Sequence, residues 1–345
     1  MRILAIETSC DETAIALTEA AGSLNSPRFK ILKSSIASQI KIHRPFGGVV
    51  PSLAKREHQK NLPLIFKKVV SEEDIPSIDL IAVTVGPGLE PALWQGIAFA
   101  KEISKAYGKP LLGVNHLEGH IYSNWINPPA GLPKFPAVSL IVSGGHTILS
   151  LMKDIKTWKI LGSTRDDAVG EAFDKVARML KLPYPGGPEI ERLAKKGKAI
   201  LNFPSPMLHS KDFDFSFAGL KTAVLYYLLA SSKHNLGEDG RDHKKYNKED
   251  VCASFQSSAF EVLIKKTLRA AETYKAKSVL LSGGVASSRA LRALFKKETK
   301  RAGLNFFAPG LKLNTDNAAM ISAAAYISFL RKKKKPLRAN GNMEI

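Results

Sequence analysis

A chain of 345 residues, 44% hydrophobic and 24% charged, is long enough for about two domains with proper cores, which excludes a disordered or fibrous protein. Lys and Arg number 51 against 31 Asp and Glu, and a net charge of +20 favours a polyanionic partner such as nucleic acid or anionic lipid, although a basic solvating tail leaves the same excess. Two cysteines, Cys10 and Cys252, exclude a disulfide framework and suit a reducing cytosol, and no apolar run approaches the ~20 residues of a membrane span.

From Met1 the chain enters an apolar strand with no signal or transit segment ahead of it, so a cytoplasmic location is expected. Ile3–Ile6 and Ala14–Leu17 predict a hairpin joined by the polar turn Glu7-Thr8-Ser9-Cys10-Asp11-Glu12-Thr13, whose hydroxyls and carboxylates can face a phosphate or a metal. Phe46-Gly47-Gly48-Val49-Val50 leads into a helix opened by Pro51, with Leu53, Ala54, Leu62, Ile65, Phe66 and Val69 near one side. Leu80–Val85 is a buried strand, followed by Gly86-Pro87-Gly88 and a helix from Pro91 to Tyr107. Ala92, Gly96, Ala98 and Ala100 keep that helix thin enough for close packing. Pro110–Val114 is a short strand feeding a helix that carries His116 and His120. Histidines four apart share a helical face and can reach one metal ion, and a pair of satisfied histidines has the same spacing.

Asn127 to Pro136, with four prolines in ten residues, marks a linker. Beyond it the opening architecture recurs: Ala137–Val142, the turn Ser143-Gly144-Gly145-His146-Thr147, then Ile148–Met152. A helix is expected over Val169–Leu180 with Asp174 midway, ending before a rigid turn from Pro183 to Pro188. Asp214–Lys221 opens another helix, capped by Asp214 or Ser216, and residues 231–250 read as a surface loop or insertion. The strand Ser278–Leu281 runs into a second Ser-Gly-Gly turn, Ser282–Ser288, where backbone N–H groups free of Cβ crowding can cradle an anion. Asn314-Thr315-Asp316-Asn317 precedes a small-residue helix from Ala318 to Phe329. The basic tail Arg331–Lys335, with Arg338, reads as mobile.

Taken in register, several stretches resemble the tRNA threonylcarbamoyladenosine transferase family: Ile6-Glu-Thr-Ser-Cys-Asp-Glu-Thr13, Gly47-Gly-Val-Val-Pro51, Gly86-Pro-Gly-Leu89, His116-Leu-Glu-Gly-His120, Val142-Ser-Gly-Gly-His-Thr147, Gly170-Glu-Ala-Phe-Asp-Lys175, Tyr184-Pro-Gly-Gly-Pro188, Phe215-Ser-Phe-Ala-Gly-Leu-Lys-Thr222 and Thr315-Asp-Asn317. The resemblance runs from Met1 to about Phe329. It implies an α/β chain with the actin-like ATPase and sugar-kinase fold, two RNase H-like lobes with a cleft between them. Residues 1–130, completed by 318–345, would form the first lobe and 131–317 the second. It implies one divalent metal, iron(II) or else zinc, held by His116 and His120 from one lobe and Asp316 from the other.

The family's substrate site maps onto Ile141, Val142, Ser143, Gly144, Gly145, Asp174 and Gly187. Glu191 and Ser288 stand where the family often has Asp and usually has Asn, Ala318 replaces a usual Gly, and Asn314 replaces a Cys frequent in bacteria. The implied reaction moves the threonylcarbamoyl group from threonylcarbamoyl-AMP to the adenosine 3′ of the anticodon in tRNAs reading A-starting codons. The metal would act as Lewis acid, the Ser143–Gly145 amides would hold the group, and Asp11 or Glu12 would accept the amine proton. The implied partners are tRNA, a TsaB-like paralogue in a heterodimer formed by the helices after Pro51 and Pro91, and a TsaE-like ATPase, with no membrane. A metallopeptidase fits poorly, because Leu117 stands where the zincin motif places its glutamate, and Glu118 lies about 100° further round the helix. A non-catalytic nucleotide switch of the same fold is disfavoured by the retained histidines.

Overall fold

The computed structural model describes residues 1–128, 131–233 and 246–345. The chain opens with β1 (Arg2–Glu7), β2 (Glu12–Ala21) and β3 (Arg28–Ser38), then α1 (Ile40–His43), α2 (Pro51–Val69), β4 (Leu80–Gly86), α3 (Glu90–Tyr107), β5 (Leu111–Asn115) and α4 (His116–Tyr122). These strands form a five-stranded sheet in the order β3-β2-β1-β4-β5, with the first three antiparallel and β4 and β5 parallel to β1. The strand β1 is apolar on both faces because both are covered. Leu4 and Ile6 pack with Leu62 and Ile65 of α2 and Leu93 and Ile97 of α3, while Ile3 and Ala5 face the other way.

The second half comprises β6 (Ala137–Val142), β7 (Thr147–Met152), β8 (Trp158–Ser163), α5 (Val169–Met179), α6 (Gly186–Ala194), α7 (Ala218–Lys233), α8 (Lys248–Thr273), β9 (Ser278–Ser282), α9 (Arg289–Arg301), β10 (Asn305–Phe307) and α10 (Ala318–Leu330). Its sheet order, β8-β7-β6-β9-β10, repeats the first sheet strand for strand, with the same antiparallel and parallel senses. The recurring hairpin seen in the sequence is therefore the visible part of a whole repeated sheet.

The helix α10 joins the halves. Every residue from Ala318 to Ser328 is buried, and its core cluster includes Ile3 and Ala82 of the first sheet with Ile141 and Ile148 of the second. A helix apolar all round belongs in such an interior, and its alanines let two sheets approach it. Short α4 packs on it through Gly119, where a Cβ would stand 3.0 Å from Ile321 Cδ1.

Four expectations need correction. The stretch from Gly186 to Pro188 is not a loop but the first turn of α6, because Gly186 lets that helix press onto α5 at Asp174 and Ala177. Neither Asp214 nor Ser216 caps α7; Asp166 accepts from the Phe217 and Ala218 N–H groups at 2.8 and 3.2 Å. Within 231–250, the two ends belong to α7 and α8 and residues 234–245 lie outside those described. The basic tail is not free: Lys335 bridges to Gly113 on the open edge of β5 and Ala339 is buried. An edge strand presents unpaired backbone groups that a following segment can satisfy, which the lysine content hides.

Candidate metal centre and cleft

Asn115, the last residue of β5, caps α4: its Oδ1 accepts from the N–H groups of Leu117 and Glu118 at 2.8 and 3.2 Å. The helix therefore starts at His116, and its two histidines stand one turn apart with ring centroids 4.7 Å from each other. Asn317 caps α10 in the same manner and sets Asp316 just ahead of it. Because Gly119 brings the two helices together, Asp316 Oδ1 comes to 3.4 Å from His116 Nε2 and 3.3 Å from His120 Nε2.

Behind His116 stands Glu7, fully buried at the end of β1. Its carboxylate accepts from His116 Nδ1 at 3.1 Å, from Thr84 Oγ1 at 2.6 Å and from the Ser9 N–H. Burial opposes ionisation of His116, but Asp316 and Glu7 outweigh it and push the imidazole up; a cation would take the place of the Nε2 proton while Glu7 holds the one on Nδ1. Burial opposes ionisation of Asp316, yet His116 and His120 outweigh it and hold the carboxyl well below its usual range. For His120, burial dominates and pushes the imidazole down. Both its ring nitrogens are buried and make no hydrogen bond among the described residues, with Nε2 held 3.3 Å from Asp316 Oδ1 as an ion-pair contact. The three donor atoms lie within 4.8 Å of one another. Two imidazoles and a carboxylate facing one point, with an orphaned nitrogen among them, are a donor set that suits a divalent cation.

The cleft side is built by the second sheet. Ile141 and Val142 end β6, and the turn that follows is tied to α5: the Gly170 N–H donates to Ser143 O at 3.2 Å, and a Cβ on Gly170 would stand 2.5 Å from the same oxygen. Gly144 and Gly145 are exposed, with open space in front of them. His146 is pushed down to about 4, by burial first and then by His116 and His120. Asp174 accepts from the Gly186 N–H at 2.6 Å, and burial pushes it up to about 6. Gly187 has nothing within 4 Å of a would-be Cβ. Glu191 and Ser288 meet at the start of α9, where Glu191 accepts from the Ala290 N–H at 3.3 Å and Ser288 Oγ caps the helix at Leu291.

The tip of the first hairpin is not solvated as such tips usually are. Asp11 is 8% exposed, and burial, then Asp11, pushes Glu12 up to about 10. The tip is clamped by α3: Thr8 Oγ1 donates to Ala92 O, and a Cβ on Gly96 would stand 2.4 Å from Thr8 Oγ1. That contact explains the thin helix from within the chain. Arg44 donates to Tyr184 O at 2.9 Å and Arg178 donates to Gly47 O, so the segment after α1 reaches across to α5 and the turn beyond it. Glu7, Ser9 and His146 lie within the motifs without an individual role assigned to them there, and Thr84 lies outside every motif. A carboxylate closing an otherwise apolar strand was the available signal for Glu7.

Residues 30–323 match the TsaD family, described as tRNA N6-adenosine threonylcarbamoyltransferase. The chain is 50% identical to the protein of that description from Moorella thermoacetica, over 98% of this chain and 95% of that one. It is 46% identical to the protein of the same description from Thermosipho africanus, over 100% and 98%. Among solved structures it is similar to HypF of T. kodakarensis, with a TM-score of 0.58 at 13% identity, covering 96% of this chain and 48% of that one. Full-length HypF in a phosphate- and nucleotide-bound form gives 0.57 at 12% identity, covering 98% and 56%. The chain spans about half the length of these HypF chains, and at such identity the likeness is one of fold.

Proposed function

The chain belongs to the tRNA N6-adenosine threonylcarbamoyltransferase family and is such a transferase, and from that premise we propose how its residues carry the reaction. The donor is threonylcarbamoyl-AMP and the acceptor is the adenosine 3′ of the anticodon in tRNAs reading A-starting codons. The supporting observation is the trio His116, His120 and Asp316, whose donor atoms converge while His120 lacks a hydrogen bond among the described residues. We assign it one divalent cation, iron(II) or else zinc. When bound, the cation supplies Lewis-acid polarisation of the threonylcarbamoyl carbonyl. Glu7 keeps the Nδ1 proton of His116 in place and so aims Nε2 at the site.

On the opposite wall the turn after Ile141 and Val142, Ser143-Gly144-Gly145, offers backbone N–H groups to the donor's carbonyl or phosphate. Asp174 accepts from the ribose hydroxyls, and Gly187 leaves room beneath the adenine. Glu191 and Ser288 flank the nucleoside. Ser288 already accepts from the Leu291 N–H, so its hydroxyl hydrogen is what it offers. The N6 amine forms a bond to the carbamoyl carbon, the bond to the AMP oxygen breaks, and AMP leaves with that electron pair. The amine proton passes to Asp11. Glu12, pushed up to about 10, keeps its own proton at neutral pH and serves as a donor beside it.

The lobes divide as residues 1–130 with 318–345, and 131–317. The +20 charge serves the tRNA phosphates. A TsaB-like paralogue docks on α2 and α3, where Leu64, Trp94 and Tyr107 are exposed, and a TsaE-like ATPase completes the set. Among the described residues no helix is long and apolar enough to cross a membrane, in keeping with work in the cytoplasm. The test is transfer of labelled threonylcarbamate to tRNA, with and without those partners, by the wild type and by His116→Ala, His120→Ala and Asp316→Ala. Each substitution should remove the metal and abolish transfer while leaving the fold. Full transfer by any metal-free variant would overturn the assignment.

A further inference from the structure

Beyond α10 the chain turns back along β5, the open edge of the first sheet. After the bridge from Lys335 to Gly113, the Asn340 N–H donates to Val85 O at 2.9 Å, at the bulge between β4 and β5. The Gly88 N–H donates to Gly341 O at 3.2 Å, and the Gly341 N–H donates to Glu90 Oε1 at 3.1 Å. A Cβ on Gly86 would stand 2.1 Å from Asn340 O, so the sheet is shaped to admit this segment. Leu337 and Met343 pack on the core beneath α2 and α3, and Ile345 on the core around α10.

Three contacts run from this strap to the helix that carries the histidines. Asn115 Nδ2 donates to Glu344 O at 3.0 Å, while the other end of the same side chain caps α4. Lys335 Nζ lies 3.6 Å from Glu118 Oε1, and Arg331 Nη1 donates to Tyr122 Oη at 3.3 Å. Glu118 and Tyr122 each lie two residues past a histidine, about 200° round the helix from it. The strap thus bears on α4 from behind the ligand face. With 7 residues, α4 is too short to hold its own orientation.

We infer that the carboxy-terminal strap, residues 331–345, is a positioning element for the metal site: it secures the cap and the outer face of α4, and so keeps both imidazoles in register with Asp316. This rests on the metal assignment above. Partners behind ligating side chains typically change metal affinity about 10- to 100-fold when removed. The test is zinc affinity, measured by competition with a chelator, for the wild type, a chain ending at Arg338, and Asn115→Ser. Serine still caps a helix but lacks the amide N–H that meets Glu344. Both variants should bind zinc about 10-fold or more weakly, and their cobalt(II) forms should show altered visible spectra. Wild-type affinity and spectrum in Asn115→Ser, and in the shortened chain if it folds, overturn the inference. Should the shortened chain fail to fold, Asn115→Ser decides alone. A wild type that binds no zinc overturns the metal assignment itself, and this inference with it.

Discussion

Glu7 supports the proposed metal site without being one of its three ligands. It is buried at the end of a strand, accepts three hydrogen bonds, and through one of them sets which nitrogen of His116 a cation would take. Glu7→Gln keeps the shape but removes the charge that holds the Nδ1 proton. Metal titration should show affinity falling about 10- to 100-fold with the melting curve still cooperative. Asp174 invites a pH test. Burial raises it to about 6, so it binds its proton as pH falls through that value and loses its strength as an acceptor for ribose hydroxyls. The KM for threonylcarbamoyl-AMP should rise below about pH 6 and be flat above it, and Asp174→Asn should flatten the profile. A raised carboxyl contributes stability at acid pH that is lost as pH rises through about 6, so unfolding at this group is not the cause of weak binding at low pH.

At the level of elements, the contact of α4 with α10 decides whether the histidines meet Asp316. Gly119 sits there with 3.0 Å between its would-be Cβ and a flexible isoleucine, so alanine is accommodated and a larger side chain is not. Gly119→Leu should destabilise the fold by about 1–3 kcal/mol in urea melts and lower metal content. Ala324, fully buried in α10 and eight residues beyond Asp316, is equally open to overpacking, which makes Ala324→Leu the control for the fold alone. The segment from Arg44 to Gly47 acts across the cleft. Removing both arginine side chains, by Arg44→Ala with Arg178→Ala, should raise KM for donor and tRNA while zinc affinity stays put. A drop in zinc affinity would mean the segment braces the metal wall instead.

At the scale of the whole molecule the charge excess needs a location. Lys332, Lys333 and Lys334 are exposed although the backbone around them is held, so the tail can present charge while serving as a strap. Changing these three to glutamine, rather than deleting the tail, separates the two roles. If they meet tRNA phosphates, the log–log salt slope should shrink in magnitude by about 0.7–0.9 for each phosphate left without its lysine, with zinc affinity unchanged. The weakening should be the same for every tRNA, since phosphate contacts carry no sequence information. An unaltered slope would assign the charge elsewhere.

Sequence alone determined seven of the ten strands among the described residues (all but β3, β8 and β10), the hairpin and its recurrence, the spacing of His116 and His120, and through many short motifs the family. Those are local signals: periodicity, turn residues and spacing act within a few positions of one another. It also marked Ala318 to Phe329 as a small-residue helix, but not that two sheets would close on it. Only the tertiary structure decided that Asp316 completes the trio geometrically, that Glu7 stands behind His116, that Asp166 caps a helix 51 residues away, and that the basic tail is a strap. Each of these joins positions far apart in the chain through burial or an unpaired backbone edge. Neither leaves a mark on the local pattern of residues.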